Sequence, residues 1–245
     1  MDAGSHRIRD LLAAAEQQLT PASESARLDA EVLLAHALGK NRSHLFAWPE
    51  RAVGPGARAA FARAVQRRAR GEPVAYITGE REFWSLRLKV TPDTLIPRPD
   101  TERLVELALE RIPADEAGPV ADLGTGAGAV ALAIARERPL AEIIATDRSE
   151  RALAVARHNA EALGVANVRF RRQDWCQGFA PDSLALIAVN PPYVAEGDPH
   201  LTWGDVRHEP RQALASGPEG LDDLQRLLPQ CLPCLRPGGW LLTEH

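Results

Sequence analysis

The sequence predicts an α/β protein in which a doubly wound, mostly parallel sheet follows a small all-α bundle, with a β-hairpin as the linker. Three observations carry that expectation. From Pro119 onward, short apolar runs rich in β-formers alternate with helical patterns, an order that implies parallel strands covered on both faces. Residues 6–70 show helical spacing and little else. Between these regions Trp84, Leu86, Leu88 and Val90 alternate with Ser85, Arg87 and Lys89, the period of a strand. The expected division is residues 1–72 for the bundle, 73–100 for the hairpin linker and 101–245 for the sheet domain.

In the bundle, Leu11, Leu12 and Ala15 mark a first amphipathic helix. Leu28, Val32, Leu33, Ala35 and Leu38 mark a second, with Gly39 as its stop. Ser43 is the expected cap of a short turn that buries Leu45, Phe46 and Trp48. A third helix covers residues 57–70, with Phe61, Ala64 and Val65 inward and Arg67, Arg68 and Arg70 on its exposed end. Those arginines suit either a solvated face or a docking surface for a large substrate. After Gly71-Glu72-Pro73 comes the hairpin, then Leu95-Ile96-Pro97-Arg98-Pro99-Asp100-Thr101-Glu102, where two prolines hold Arg98 rigidly for a salt bridge or a ligand contact.

The sheet domain opens with a helix over 101–111. Strands are expected at 119–123, 141–147, 168–171, 184–189 and 240–244. Helices are expected at 127–138 and 149–164, with a mostly helical stretch at 221–235. In such a sheet, ligands lie along the carboxyl ends of the strands.

Composition narrows the class. At 245 residues and 45% apolar, the chain can fill a large core and a smaller one. A net charge of -4 argues against a protein that coats nucleic acid. Three cysteines, Cys176, Cys231 and Cys234, make no disulfide framework, and the start of the chain lacks a basic stretch followed by an apolar one. A soluble, cytoplasmic monomer with no membrane association is expected. Cys231 and Cys234 have redox or zinc spacing but no second pair, and they read as small buried hydrophobes. None of the seven histidines has metal spacing with another ligand, so no metal is expected. His208 and Trp203, in the long loop after Tyr193, are candidates for the mouth or lid of a site.

Gly124-Thr125-Gly126-Ala127-Gly128 follows a strand and opens a helix, a context in which backbone amides can approach a nucleoside ligand closely. The spacing and the preceding Asp122 favour S-adenosylmethionine over a dinucleotide, because a carboxylate would oppose a pyrophosphate but suits an amino group and a sulfonium. Asp147, at the end of the next strand, is placed for the ribose hydroxyls. Asp174 and Trp175, after the third, suit the adenine amino group and the adenine face. Asn190-Pro191-Pro192-Tyr193 ends the fourth strand, where an amide beside rigid proline carbonyls can grip a planar NH2 group.

Asp122 to Gly128 together with Asn190 to Tyr193 resemble the class I S-adenosylmethionine-dependent methyltransferases that modify NH2 groups, with their Rossmann-like sheet. Gly71 to Gly79, Phe83-Trp84, Leu95 to Glu102, Glu209-Pro210-Arg211-Gln212-Ala213-Leu214, Gly217 and Gly220-Leu221 narrow this. Over nearly the whole chain the sequence resembles the peptide chain release factor N5-glutamine methyltransferases. The resemblance implies transfer of methyl to the glutamine of the Gly-Gly-Gln loop of bacterial class 1 release factors, with S-adenosylhomocysteine as product. It further implies that Gly124 to Gly128, Asp147, Trp175 and Asn190 contact the cofactor and that Asn190, Pro191, Pro192 and Tyr193 hold the glutamine. Arg98 is carried as a candidate substrate contact, and the helical domain as the element that recognises the substrate. The family carries two further edge strands after the fifth, so C-terminal edge strands are expected to be missing here. Two other readings stay open: a nucleic-acid amine methyltransferase acting on adenine or guanine, and an inert module that binds a release factor.

Overall fold

The structure, a computed structural model, describes residues 6–115 and 118–245. The chain forms two compact units, Met1–Gly79 and Glu80–His245.

The first unit consists of α1 (Ile8–Leu19), α2 (Ala26–Leu38), α3 (Arg42–Ala47), α4 (Pro55–Ala69) and α5 (Val74–Thr78). Its core joins Ile8, Leu12 and Leu19 of α1 to Leu33 and Leu34 of α2, Phe61 and Val65 of α4 and Ile77 of α5. Each such side chain contributes about 1.5–3 kcal/mol by leaving water. Gly39 ends α2 in the left-handed region, as its position implies.

Several local expectations are corrected. The cap of α3 is Asn41, whose side chain accepts from the His44 N–H at 3.1 Å, so Ser43 lies inside the helix. Leu45 is buried, but Phe46 and Trp48 are 60% and 57% exposed. The inward face of α2 runs through Ala30, Leu33 and Leu34, leaving Leu28 exposed. Arg68 is buried and donates to Asp29 at 2.6 Å, while Ser23 and Ser25 donate to the same carboxylate. Its charge is matched inside the bundle, so Arg68 is not on the solvated end of α4, whereas Arg70 is exposed there. Residues 74–78 are helical, so strand pairing begins at Glu80.

The second unit starts with the antiparallel hairpin β1 (Glu80–Phe83) and β2 (Leu86–Lys89). Trp84 and Ser85 form its two-residue turn, with φ of 51° and 57°, rather than continuing a strand. Two non-glycine residues in that region carry a conformational cost. It is offset by Glu102, which accepts from the Trp84 backbone N–H at 2.9 Å, and by Glu137, which accepts from the indole at 3.2 Å. Phe83, Leu86 and Leu88 join the main core.

The parallel sheet is built from β3 (Pro119–Leu123), β4 (Glu142–Asp147), β5 (Val168–Arg172), β6 (Leu184–Val189) and β7 (Leu235–Thr243), in the spatial order β5-β4-β3-β6-β7. Its helices are α6 (Glu102–Arg111), α7 (Ala129–Glu137), α8 (Glu150–Leu163) and α9 (Asp222–Cys231). Every residue of β6 is buried, the pattern of a strand covered on both faces. From β3 the chain steps to β4 and β5 on one side, then crosses back to β6 and β7 on the other. The crevice at such a reversal is where ligands enter this kind of sheet. The three cysteines are buried, and the sulfur of Cys231, at the end of α9, lies 3.4 Å from that of Cys176. The hydrogen bond with the Cys231 sulfur, and then burial, hold the Cys176 thiol well above its ordinary range, consistent with a packing role.

Candidate active site

Strand register creates the site. Leu123 of β3 is paired with Thr146 of β4 on one side and with Val189 of β6 on the other. The residues next after these three therefore emerge side by side at the carboxyl end of the sheet: Gly124, Asp147, which closes β4, and Asn190. Together with Gly126, Asp174, Trp175 and Pro192 they line a cleft of about 700 Å³, its open mouth included.

The loop from Gly124 to Gly128 is held from below. Asp122, buried under it, accepts from the Thr125 hydroxyl at 2.6 Å and from the Ala131 N–H at 3.0 Å. Burial pushes its carboxyl up to about 6, against the pull of those two donors. The Thr125 N–H donates to the Thr146 carbonyl at 2.8 Å, tying the loop to β4. Asn159 of α8 donates to the Ala127 carbonyl at 2.9 Å and exchanges two further bonds with the Lys89 backbone, so the hairpin, α8 and the loop share one anchor. Of this loop, Gly124 and Gly126 line the cleft, while Thr125, Ala127 and Gly128 make its internal anchors and Asp122 lies beneath it. Gly124 has φ of 71°, and a β-carbon there would stand 3.6 Å from the Trp175 ring. The glycine leaves the indole face close to the strand end.

Asp147 accepts from the Gly126 N–H at 3.0 Å and from the Ser149 N–H at 2.8 Å. Its carboxyl is raised from the ordinary value, chiefly by burial and in spite of those bonds. Trp175 sits at φ 46°, with Gln173 donating to its carbonyl at 2.8 Å. The indole N–H is buried and has no hydrogen-bond partner among the described residues. One Asp174 oxygen accepts from Arg226 at 2.9 Å at the outer edge of the cleft.

Beside Gly124, Asn190 donates its side-chain N–H to the Thr101 hydroxyl at 3.3 Å. Pro191 and Pro192 are buried, and Tyr193 is 42% exposed. Burial raises the Tyr193 phenol, and the Glu244 carboxylate beside it adds to the shift. Arg98 does not line the cleft, although its charge reaches the Tyr193 phenol. It pairs with Glu209, donates to the Ile96 carbonyl at 3.0 Å, and is absent from the cleft lining. Of the two functions open for its rigid setting, the salt bridge is the one the structure displays.

Some cleft residues escaped the sequence reading. Asp93, Thr94 and Leu95 form one rim, and Pro210, Gln212 and Ala213 another, across which Arg148 donates to the Gln212 carbonyl at 2.9 Å. Leu95, Pro210, Gln212 and Ala213 belong to motifs that carry the family resemblance, but their place at the cleft depends on tertiary contact, which brings these loops to the strand ends. His208 and Trp203 are not among the lining residues, and Trp203 is 67% exposed.

The donor set fits S-adenosylmethionine. A glycine-lined backbone edge, an acidic side chain at the end of the second strand and an indole face in one cleft match its amino acid, ribose and adenine parts in turn.

Comparison with known proteins agrees with this geometry. A family model described as the PrmC N-terminal domain matches residues 10–79, and one described as the methyltransferase small domain matches residues 102–219. The release factor glutamine methyltransferase of Coxiella burnetii is 49% identical over 229 residues, covering 94% of this chain and 82% of its own. That of Vibrio cholerae is 48% identical over 236 residues, covering 96% and 82%. That of Pseudomonas aeruginosa is 52% identical over 225 residues, covering 92% and 81%. Identity near one half, sustained across both units of the fold, makes this chain a member of the release factor glutamine methyltransferase family.

Proposed function

We propose that the protein transfers a methyl group from S-adenosylmethionine to the side-chain amide nitrogen of a glutamine in a peptide chain release factor. The resemblance implies that this is the glutamine of the Gly-Gly-Gln loop. The observation that carries the reading is the register that sets Asn190 beside Gly124 and Asp147 in one cleft. The amide-gripping turn and the cofactor loop thereby face the same space.

An amide nitrogen is a weak nucleophile because its lone pair is delocalised into the carbonyl. A catalyst must therefore orient it and stabilise the charge that develops there. When bound, the cofactor supplies an electrophilic methyl on a sulfonium. Gly124 to Gly128 and Asp147 hold its amino acid and ribose parts, while Trp175 and Asp174 meet the adenine. Asn190 Oδ1 and the Pro191 carbonyl each accept one substrate N–H, turning the nitrogen toward the cofactor and offsetting the positive charge it acquires until one of its protons passes to solvent, with S-adenosylhomocysteine as the departing product. Pro192 and Tyr193 pack against the amide plane and exclude water. The net charge of -4 supports a protein rather than a nucleic-acid substrate. The enzyme works as a monomer in the cytoplasm, where release factors act; no helix among the described residues is long and apolar enough to cross a membrane.

The test is incubation with methyl-labelled cofactor and an intact release factor, then with its Gln→Ala variant. Label on the first and none on the second is expected. Equal labelling of both, or labelling of DNA or RNA instead, overturns the reading. Calorimetry with S-adenosylmethionine addresses the inert-module alternative, which an absence of binding heat would favour.

A further inference from the structure

Asn190 has a requirement that its own turn does not meet. The torsion that rotates a side-chain amide is broad and roughly two-fold, so only hydrogen bonds decide how its plane lies and which end faces a ligand. If the NH2 end of Asn190 faced a substrate amide, donor would meet donor and the orienting bond would be lost. The turn supplies two buried prolines without N–H groups, which stiffen the backbone but cannot hold the amide plane.

The group that does hold it comes from 89 residues away. Thr101 is 6% exposed and lies where the single turn Pro99–Thr101 runs into α6. Its hydroxyl receives the Asn190 N–H at 3.3 Å. Committing the nitrogen end there leaves Oδ1 as the end available to the cleft that Asn190 lines. Thr101 is itself fixed: its N–H donates to the Arg98 carbonyl at 3.2 Å, and the Arg98 guanidinium is held by buried Glu209. The next residue after Glu209 is Pro210, on the far rim of the cleft. A continuous set of contacts thus runs from that rim through Glu209, Arg98 and Thr101 to Asn190.

We propose that Thr101 is a positioning residue for methyl transfer, its hydroxyl setting the plane of the Asn190 amide so that the oxygen meets the substrate N–H. This rests on the assignment of Asn190 as the amide-gripping residue. Thr101 is not among the residues that line the cleft, and it acts through Asn190.

The test compares Thr101→Val, which keeps shape and loses the hydroxyl, with Thr101→Ser, which keeps the hydroxyl. Both are also made in an Asn190→Ala background; the single variants are assayed by steady-state methyl transfer over a range of release factor concentrations, and the double variants by single turnover with enzyme in excess. Thr101→Val is expected to lower kcat by about 10- to 100-fold, with KM for release factor and the S-adenosylmethionine Kd changed by less than about 3-fold. Thr101→Ser is expected to recover turnover to within about 3-fold of wild type, and Thr101→Val to add no further loss to Asn190→Ala. Three results overturn the inference: Thr101→Val turning over at the wild-type rate while Asn190→Ala is impaired; Thr101→Ser failing to rescue; or full additivity with Asn190→Ala. Wild-type turnover by Asn190→Ala alone would instead overturn the assignment on which the inference rests.

Discussion

Arg98 and Glu209, 111 residues apart, form an ion pair in which the carboxylate is fully buried. Glu209 also accepts from the Ile96 backbone N–H at 2.9 Å, so one carboxylate fastens the Leu95–Thr101 segment to the loop that carries Pro210, Gln212 and Ala213. Removing one partner of such a pair costs far more than the pair contributes, because the remaining charge stays buried. Arg98→Ala is expected to destabilise the protein by about 3 kcal/mol and to loosen the cleft rim. Glu209→Gln, which keeps an acceptor for the Ile96 N–H, is expected to be milder. Urea unfolding of the free protein measures both, and equal stability of Arg98→Ala and wild type would refute the clamp.

Asn190→Ala removes the side-chain acceptor for the substrate N–H while leaving Gly124, Asp147 and Trp175 in place. Turnover is expected to fall by at least about 100-fold, the scale of losing one oriented polar contact at a reacting centre. Affinity for S-adenosylmethionine should change little. Calorimetry beside the labelling assay separates the two quantities, and a complete loss of cofactor binding would contradict the proposed division of labour.

Trp175 lies against Gly124 at the end of the site assigned to the adenine. A base stacked on an aromatic ring gains about 1–3 kcal/mol, so Trp175→Ala is expected to weaken S-adenosylmethionine binding by about 10-fold or more. Trp175→Phe should lose less. Fluorescence or calorimetric titration reads the difference, with thermal unfolding as the control for folding. Equal affinity of the Ala variant and wild type would remove Trp175 from the adenine site.

Gly220 has φ of 77°, and a β-carbon there would stand 3.0 Å from the Tyr193 carbonyl carbon and 3.1 Å from the Ala195 nitrogen. Both neighbours are backbone, and the conformation itself disfavours a side chain. Gly220→Ala is therefore expected to displace the segment after Pro192 and to reduce turnover sharply. The cofactor loop, which Gly220 does not touch, should keep its ligand. Methyl transfer and cofactor titration on the same variant test this.

Asp122 predicts a pH dependence. Its carboxyl is raised from an ordinary 3.8 to about 6 by burial, so between those values the folded protein binds more protons than the unfolded chain. The stability this group contributes is fully present below pH 3.8 and is lost as pH rises through 6. A shift of about two units corresponds to a loss on the order of 3 kcal/mol. Asp122→Asn keeps an oxygen for Thr125 and Ala131 but cannot ionise, and it should flatten that part of the decline. Urea unfolding of wild type and variant at pH 4.5 and 7.5 checks the difference in slope; identical slopes would refute the prediction.

Much of the fold was legible in the chain itself. The continuous apolar run Leu184–Val189 fixed a doubly covered strand, and glycines after Leu123 marked a strand-to-helix loop. Asp147, Trp175 and Asn190 fell at successive strand ends because parallel sheets place their polar termini there. Local patterns misled where a side chain's partner lies far along the chain. Arg68 looked solvated until Asp29 was brought against it, and Trp84 read as strand although Glu102 and Glu137 hold it in a turn.

The sequence by itself determined the layered α/β architecture, the glycine loop after Leu123 and the Asn190–Tyr193 turn, since each is written in short-range periodicity or in a few adjacent residues. Tertiary structure alone decided how these pieces meet. It put Asp122 beneath the loop rather than on the cleft wall, turned Arg98 onto Glu209, and set Thr101 against Asn190. The physical reason is that burial and long-range hydrogen bonds depend on strand register and loop crossing, and neither is encoded in the spacing of neighbouring residues.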